Sequence, residues 1–437
     1  MLPTIPASNA SEGLLLTIIA VSVILLAVVK RLQRRRPQLQ IGLPLAVALG
    51  IRLLSIIAIN ATGLGASLRG GDETTFLQFA QQLAAQPLGH GYFPHGPYQL
   101  MTVLFALEIK VGFMNVSAIR VVQIGISLLG FVFMVAAAYD LGGARASRTA
   151  MWLLAFDPAS IFFNSEIHKE PNMELAAGIV AFGGVWFWKR LDIRGILICA
   201  IGIFIAVETR GYAGWFMASG VVLLVLHASI RNMRYSSKGL PFIYAIIVAG
   251  FVAAPTVLAA TGGKNLKILQ ASQAANAAGI GQGGTGGANG SNLALESVNY
   301  SSRGAIISSL PTKIRELMLM PYPWQLHDSS QMFGSFGTLY AYMVIVLLIR
   351  FMWLNRGDVF GRAGPLLYPM FLEMVAYSLT VGNAGTGFRY RTHLVTLGIC
   401  AMAVLREHAR TRKLPPEAEI AAPGVETELA GTVPVAI

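Results

Sequence analysis

Charge is scarce in this chain. Asp, Glu, Lys and Arg make up 12% of the 437 residues, where a soluble domain carries roughly 25%. That shortage excludes an ordinary soluble globular protein. Acidic residues are the scarcer kind, 21 against 33 basic ones, giving a net charge of +12. Such a balance could serve a nucleic acid. Here, however, Lys and Arg fall in short clusters between apolar runs, the pattern of loops held on a cytoplasmic face, and no nucleic-acid partner is expected. The two cysteines, Cys199 and Cys400, both lie inside apolar runs. This excludes a disulfide framework and a thiolate metal site. No cofactor fingerprint, tandem repeat or soluble domain is present. No basic stretch precedes the first apolar run, which reads as a retained helix with its N-terminus outside rather than a cleaved signal peptide.

What the chain has instead is apolar length, with 54% hydrophobic residues. A stretch of about 20 apolar residues spans the hydrocarbon core as a helix. Such stretches occur near 12–30, 41–61, 118–140, 147–163, 172–188, 193–208, 212–228, 240–261, 336–354, 364–381 and 392–406. The fold class expected is an all-α polytopic membrane protein with about eleven transmembrane helices. One further segment, Tyr98 to Val116, is apolar but carries Glu108 and Lys110. If it does not span, the basic clusters around Lys30–Arg36, Arg145/Arg148, Lys189–Arg194, Arg231–Lys238, Arg350–Arg362 and the tail from Arg406 all fall inside. If it spans, every later cluster flips. It is therefore read as a helix lying in the outer interface.

Residues 1–406 form the transmembrane unit, with long outer loops near 63–117 and 262–335, and 407–437 read as a disordered cytoplasmic tail. The second loop opens with a flexible Gly-, Ala- and Asn-rich stretch, Gln270 to Asn292. It then holds an interfacial helix, Ile306 to Met320, and Pro321-Tyr322-Pro323-Trp324. The setting is a plasma (inner) membrane, with the N-terminus outside and the C-terminus cytoplasmic.

Certain charges break the positive-inside pattern. Asp72 and Glu73 lie in the first outer loop. Glu166, His168, Lys169 and Glu170 lie at the next outer turn, Glu208, Arg210 and Tyr212 at the third, and Arg389, Tyr390 and Arg391 at the last. Ionisable groups at membrane depth are costly and usually face a cavity. A cavity with both signs suits transfer of a sugar from a lipid phosphate, where cations bind the leaving phosphate and a carboxylate takes the acceptor's proton. Each residue also has a plainer reading. Asp72 after two glycines suits a turn. Glu166 and Glu170 suit helix capping or pairing with Lys169. Arg210, Arg389 and Arg391 suit snorkelling to headgroups. Glu208 is expected to pair with Arg210, Arg52 and Arg120 to anchor or pair, and Asp140 and Asp157 to be structural. His90, His95 and His327 lack metal-ligand spacing. No cofactor is called for, and a divalent metal is the one addition left open.

The arrangement resembles the membrane glycosyltransferases of the C superfamily, especially the family 39-like enzymes that include protein O-mannosyltransferases and the lipid A aminoarabinose transferase. Three features carry the resemblance. Asp72-Glu73 is followed by the aromatic approach Tyr92-Phe93-Pro94-His95-Gly96-Pro97-Tyr98. Ala118-Ile119-Arg120, Gly142-Gly143-Ala144-Arg145 and Asp157-Pro158 mark a helix start, a turn and the approach to an acidic turn. Phe388-Arg389-Tyr390-Arg391 is similar to the Arg-Tyr-Arg sequence before the family's final helix. Lys169-Glu170-Pro171 and Pro321-Tyr322-Pro323-Trp324 are similar to segments in uncharacterised membrane proteins of bacterial polysaccharide clusters. The likeness covers roughly residues 41–406. It implies a polyprenyl-phosphate-sugar donor, an outward-facing site, a glycan, lipid or protein acceptor, and Asp72 as base with Glu73 as its substitute. The chain has no large soluble C-terminal domain of the kind some members carry.

Two other classes compete. An O-antigen or exopolysaccharide polymerase relies on arginines in large outer loops, and the second loop holds only Lys264, Lys267, Arg303, Lys313 and Arg315. A lipid-linked glycan transporter predicts internal repeats, which the sequence does not show.

Overall fold

The computed structural model describes residues 7–62, 72–94, 99–111, 115–233, 237–246, 270–271, 273–274, 295–300, 302–325 and 329–412. Among these residues there are helices and no strand. The helices are α1 (Ala7–Gln33), α2 (Gly42–Thr62), α3 (Asp72–Ala84), α4 (Leu100–Lys110), α5 (Val116–Ala155), α6 (Pro158–Asn164), α7 (Glu170–Arg190), α8 (Ile193–Thr209), α9 (Gly211–Met233), α10 (Arg303–Leu319), α11 (Ser329–Leu354), α12 (Val359–Thr380) and α13 (Ala384–Thr411). Five stretches are long and apolar enough to cross a membrane: Glu12–Gln33, Gly42–Thr62, Val116–Ala155, Gly211–Met233 and Ser335–Leu354. Their outward faces carry bare apolar side chains such as Leu15, Ile57, Trp215 and Ile349, as helices solvated by lipid do. The expected span at 240–261 and the Gly-rich stretch 270–292 fall mostly outside the described residues, and so does the tail beyond Arg412.

Helix α5 is two helices in one. Gly143 breaks it with φ 78°, a backbone conformation in which a Cβ would be strained. On either side of this break, Asp140 receives Arg36 and Arg148 reaches Gln40. At the other end of α2, Asn60 meets Ser117 while Ile59 packs with Phe162 and Phe163. The chain therefore turns back at Gly143, and its two limbs correspond to the expected stretches 118–140 and 147–163. The second limb breaks again at Asp157-Pro158. Asp157 caps α6 by accepting from the Ala159 N–H at 3.2 Å, with Pro158 at the first helical position.

One end of the bundle is basic. Arg36 pairs with Asp140, Arg35 and Arg190 lie on the Trp186 ring, Arg231 meets Gly361, and His408 meets Leu141. The opposite end gathers the last turns of α2, α6, α8 and α12 and the first turns of α5, α7, α9 and α13. Inside, glycines let helices touch backbone to backbone. A Cβ on Gly178 of α7 would stand 2.3 Å from the Gly130 carbonyl oxygen of α5. Close approach of this kind is how membrane helices associate when both alternatives are apolar.

Helix α4 has 11 residues, about 16 Å at 1.5 Å per residue, or half of a hydrocarbon core. It packs on α3 through Phe105, Ala106, Ala80 and Leu83. Lys110 is held by the Ala84 and Gln86 carbonyls that end α3, over the Tyr92 ring. Glu108 is half-buried, with one buried carboxyl oxygen unpartnered, and burial pushes its carboxyl up to about 8.

Helix α13 departs from the expected boundaries. It begins at Ala384, not near 392, because Asn383 caps it by accepting from the Thr386 N–H at 2.7 Å. Hydropathy placed the boundary where charges appear, but a capped helix accommodates them. Gly387 to Arg391 is helix rather than an outer turn.

Candidate functional site

The turn between α6 and α7 is the centre of the polar end. Glu166, His168 and Glu170 are fully buried. His168 Nε2 lies 3.2 Å from Glu166. Glu170 opens α7, where the helix dipole favours a carboxylate, and two guanidiniums converge on its Oε1. Arg210, at the break between α8 and α9, donates at 2.6 Å, and Arg389 donates through Nε at 3.3 Å. The Arg210 guanidinium also lies over the Tyr390 ring at 4.1 Å and nearer the edge of reach of Tyr377 at 5.9 Å. Tyr212 packs edge-on against Tyr377. Two cations, one carboxylate and three tyrosines thus meet where five helix ends come together, and the group carries a net positive charge.

The first long loop docks beside this centre. Lys169 stands over Phe76 of α3 at 5.4 Å, and the Ile167 N–H lies 3.5 Å from Glu73. Glu73 also receives Arg120 at 2.7 Å, and Arg120 reaches Asn60. Asp72 is the first residue of α3, one turn before Phe76. Its side chain lies outside the described residues, as do those of His90, His95 and His327.

Several expectations change. Arg210 pairs with Glu170 and not with its neighbour Glu208, because the break after Thr209 turns its backbone to φ −147°, ψ 90°. Neither Arg210 nor Arg391 snorkels, since both are buried. Arg389 and Arg391 do not share a target. Two residues apart on a helix, they are about 200° apart around its axis. Arg391 points to the Met318 and Met320 carbonyls at 3.1 and 2.9 Å and to the Thr338 hydroxyl, so it ties α10 and α11 to α13. Arg120, Asp140 and Asp157 pair or cap as expected.

A second buried polar group lies deeper, linking Arg52, expected to anchor or pair, with Glu174, which the sequence did not single out. Glu174, one turn below Glu170, accepts from Ser127 at 2.5 Å and Asn164 at 2.8 Å. Arg52, fully buried in mid-α2, donates to Ser160 at 2.9 Å and to the Leu154 carbonyl. On the other side, His393 stands 3.8 Å from Glu373, both fully buried. The available signal was an ionisable residue within an apolar run, which holds for Arg52, Glu174 and Glu373 alike. Among the described residues, no cluster of three or more His, Cys, Asp or Glu side chains could hold a metal ion.

Between α10, α11, α12 and α13 runs an apolar cleft of about 400 Å³, lined by Met318, Leu348, Met370, Met374 and Leu394 among others, with Arg315 on its wall. Met318 joins it to the polar end, since its carbonyl is held by Arg391. No family model, curated protein or solved structure matches this chain.

Proposed function

We propose that this protein is a membrane glycosyltransferase. It moves a sugar from a polyprenyl-phosphate donor to a glycan, lipid or protein acceptor at the outer face of a plasma membrane. The observation that carries the reading is the convergence of Arg210 and Arg389 on buried Glu170, beside the loop that supplies Asp72 and Glu73. Two guanidiniums held by one carboxylate are fixed in place yet keep one positive charge, which suits a phosphate that gains charge as it leaves. The acceptor hydroxyl attacks the anomeric carbon, the bond from that carbon to the phosphate oxygen breaks, and polyprenyl phosphate departs with the electron pair. Asp72 accepts the hydroxyl proton. Lys169, His168 and Glu166 shape the floor of the site, with Tyr212 and Tyr390 on its wall. The apolar cleft of about 400 Å³ offers a place for the donor's hydrocarbon. Arg391 serves structure in this scheme, not the phosphate.

The basic end faces the cytoplasm, by the positive-inside asymmetry, and about eleven spans place the N-terminus outside. Incubating the purified protein with a panel of polyprenyl-phosphate sugars and acceptor lipids, followed by mass spectrometry, tests the activity. Transfer from at least one donor supports it. Hydrolysis or transfer from none across a complete panel, with folded protein, overturns it. A ladder of repeat units from preassembled lipid-linked oligosaccharide would instead indicate a polymerase.

A further inference from the structure

At the basic end, the last turn of α1 and the residues after it form one wall of a cavity of about 450 Å³, into which Arg31, Arg34, Arg35 and Arg36 all project. The opposite wall is aromatic, made by Phe133 of α5 and by Phe182 and Trp186 of α7. Among the described residues, one of the four arginines has a carboxylate. Arg36 is buried and grips Asp140 with two bonds, 2.8 and 2.5 Å, over the Phe182 ring. Arg31, Arg34 and Arg35 are exposed and, among the described residues, pair with no carboxylate. Arg35 lies on one side of Trp186 at 5.9 Å, and Arg190 stacks on the same ring at 4.7 Å. Asp192, the other nearby acid, accepts from the Trp186 ring N–H and the Arg194 backbone.

Topology accounts for positive charge on this face. It does not require three further guanidiniums to share one aromatic-walled cavity with the Arg36–Asp140 pair, where like charges repel beyond what that one carboxylate offsets. We propose that this pocket binds the phosphate headgroup of an anionic phospholipid. Planar guanidinium forks suit phosphate oxygens, and basic pockets between helices on this side of a membrane bind acidic headgroups. The lipid's acyl chains have a surface to follow. Ile24, Ala20 and Leu16 of α1 run back from Arg31 on the pocket side of the helix and are exposed, Ile24 and Leu16 by more than half. A soluble phosphate would gain nothing from that surface.

The test uses the full-length protein in detergent, titrated with dioctanoyl-phosphatidylglycerol, dioctanoyl-phosphatidylcholine, glycerol 3-phosphate or inorganic phosphate. Thermal unfolding and native mass spectrometry report binding. The anionic lipid should raise the unfolding temperature saturably, with the zwitterionic lipid and both soluble phosphates weaker by about tenfold or more. The triple variant Arg31→Gln/Arg34→Gln/Arg35→Gln should lose about tenfold in affinity for the anionic lipid. The control Arg350→Gln/Arg356→Gln/Arg412→Gln, which removes the same charge from the same end, should stay within about twofold. Should the glutamine variant fail to fold, the charge-preserving Arg→Lys triple keeps the topology signal but loses the forks, and it should still bind more weakly by about threefold or more. Equal losses in pocket and control variants would reduce the pocket to general electrostatics and overturn the proposal. So would unaltered binding in the pocket variants, or soluble phosphate binding as tightly as the lipid.

Discussion

Arg210 and Glu170 meet at 2.6 Å across a gap of forty residues, each sitting where one helix stops and another begins. Both are buried, so each charge depends on the other. Removing one partner of a buried pair typically costs about 3–5 kcal/mol. Arg210→Ala should therefore lower the unfolding temperature clearly, and Arg389→Ala, at 3.3 Å and partly exposed, should lower it less. On the proposed function, Arg389→Ala should also weaken donor binding by about ten- to hundredfold. Unfolding curves with donor titration check both. Unchanged donor affinity in a folded Arg389→Ala protein would remove Arg389 from the phosphate site.

Arg391 should behave differently from its neighbour. Its two terminal nitrogens are held by two carbonyls and a hydroxyl, so Arg391→Met should reduce folded yield by releasing α10 from α13. Material that does fold should keep the donor affinity of the unmodified protein. A folded Arg391→Met protein with donor binding lost would place this arginine back among the ligands.

Asp72→Asn keeps the size of the side chain but removes the base. The proposed mechanism expects a fall in turnover of about a hundredfold or more, with donor binding retained, measured in single-turnover transfer. If Asp72→Asn stays active while Glu73→Gln is dead, the base is Glu73, whose present partner is Arg120. Activity in both variants would move the search to Glu166 or Glu170.

Glu108 predicts a pH signature. Burial raises its carboxyl from the ordinary 4.5 to about 8, so the folded protein holds this proton more tightly than the unfolded chain. That contribution is whole below about pH 4.5 and is lost as pH rises through about 8. Glu108→Gln imitates the protonated form. It should match the unmodified protein in unfolding temperature near pH 4.5 and exceed it by a growing margin up to about pH 8. A margin that is constant across this range, or that shrinks, would contradict the burial of this carboxyl.

Gly178→Ala tests the contact that seats the site. A methyl group there would meet the Gly130 carbonyl at 2.3 Å, and forcing atoms into a tight contact costs about 1–3 kcal/mol or more. Glu174 and Glu170 lie one and two turns before it on α7, so on the proposed function transfer activity should fall together with stability. Gly143→Ala meets no neighbouring atom and should act only through its positive φ. If Gly178→Ala unfolds at the temperature of the unmodified protein, the two backbones are not in contact.

Much was legible in the sequence because membrane solvation is a strong constraint. Every backbone group in lipid must be satisfied within its own helix, so apolar length alone locates helices such as Gly42–Thr62 and Gly211–Met233. Within Tyr98 to Val116, the segment expected to lie in the outer interface, the described helix is the 11-residue α4. Charges that break the positive-inside pattern also marked the turns that meet at Glu170. What the sequence left open was which charge faces which. Arg210 lay two residues from Glu208 in the chain, yet its partner is forty residues away, because a helix break sets the direction of a side chain. Arg389 and Arg391 looked like one motif until helical rotation sent them to opposite sides of α13. Glu174 sat unnoticed in an apolar run, since hydropathy averages over a window and a single buried charge barely changes it, and Arg52 read as an anchor near a helix end although it lies buried in mid-helix. Their positions follow from packing, in which Gly130 against Gly178 brings α5 and α7 close enough for Ser127 to reach Glu174. Apolar length thus locates the helices, and charge locates the turns between them. Only the packed bundle decides which of those charges meet.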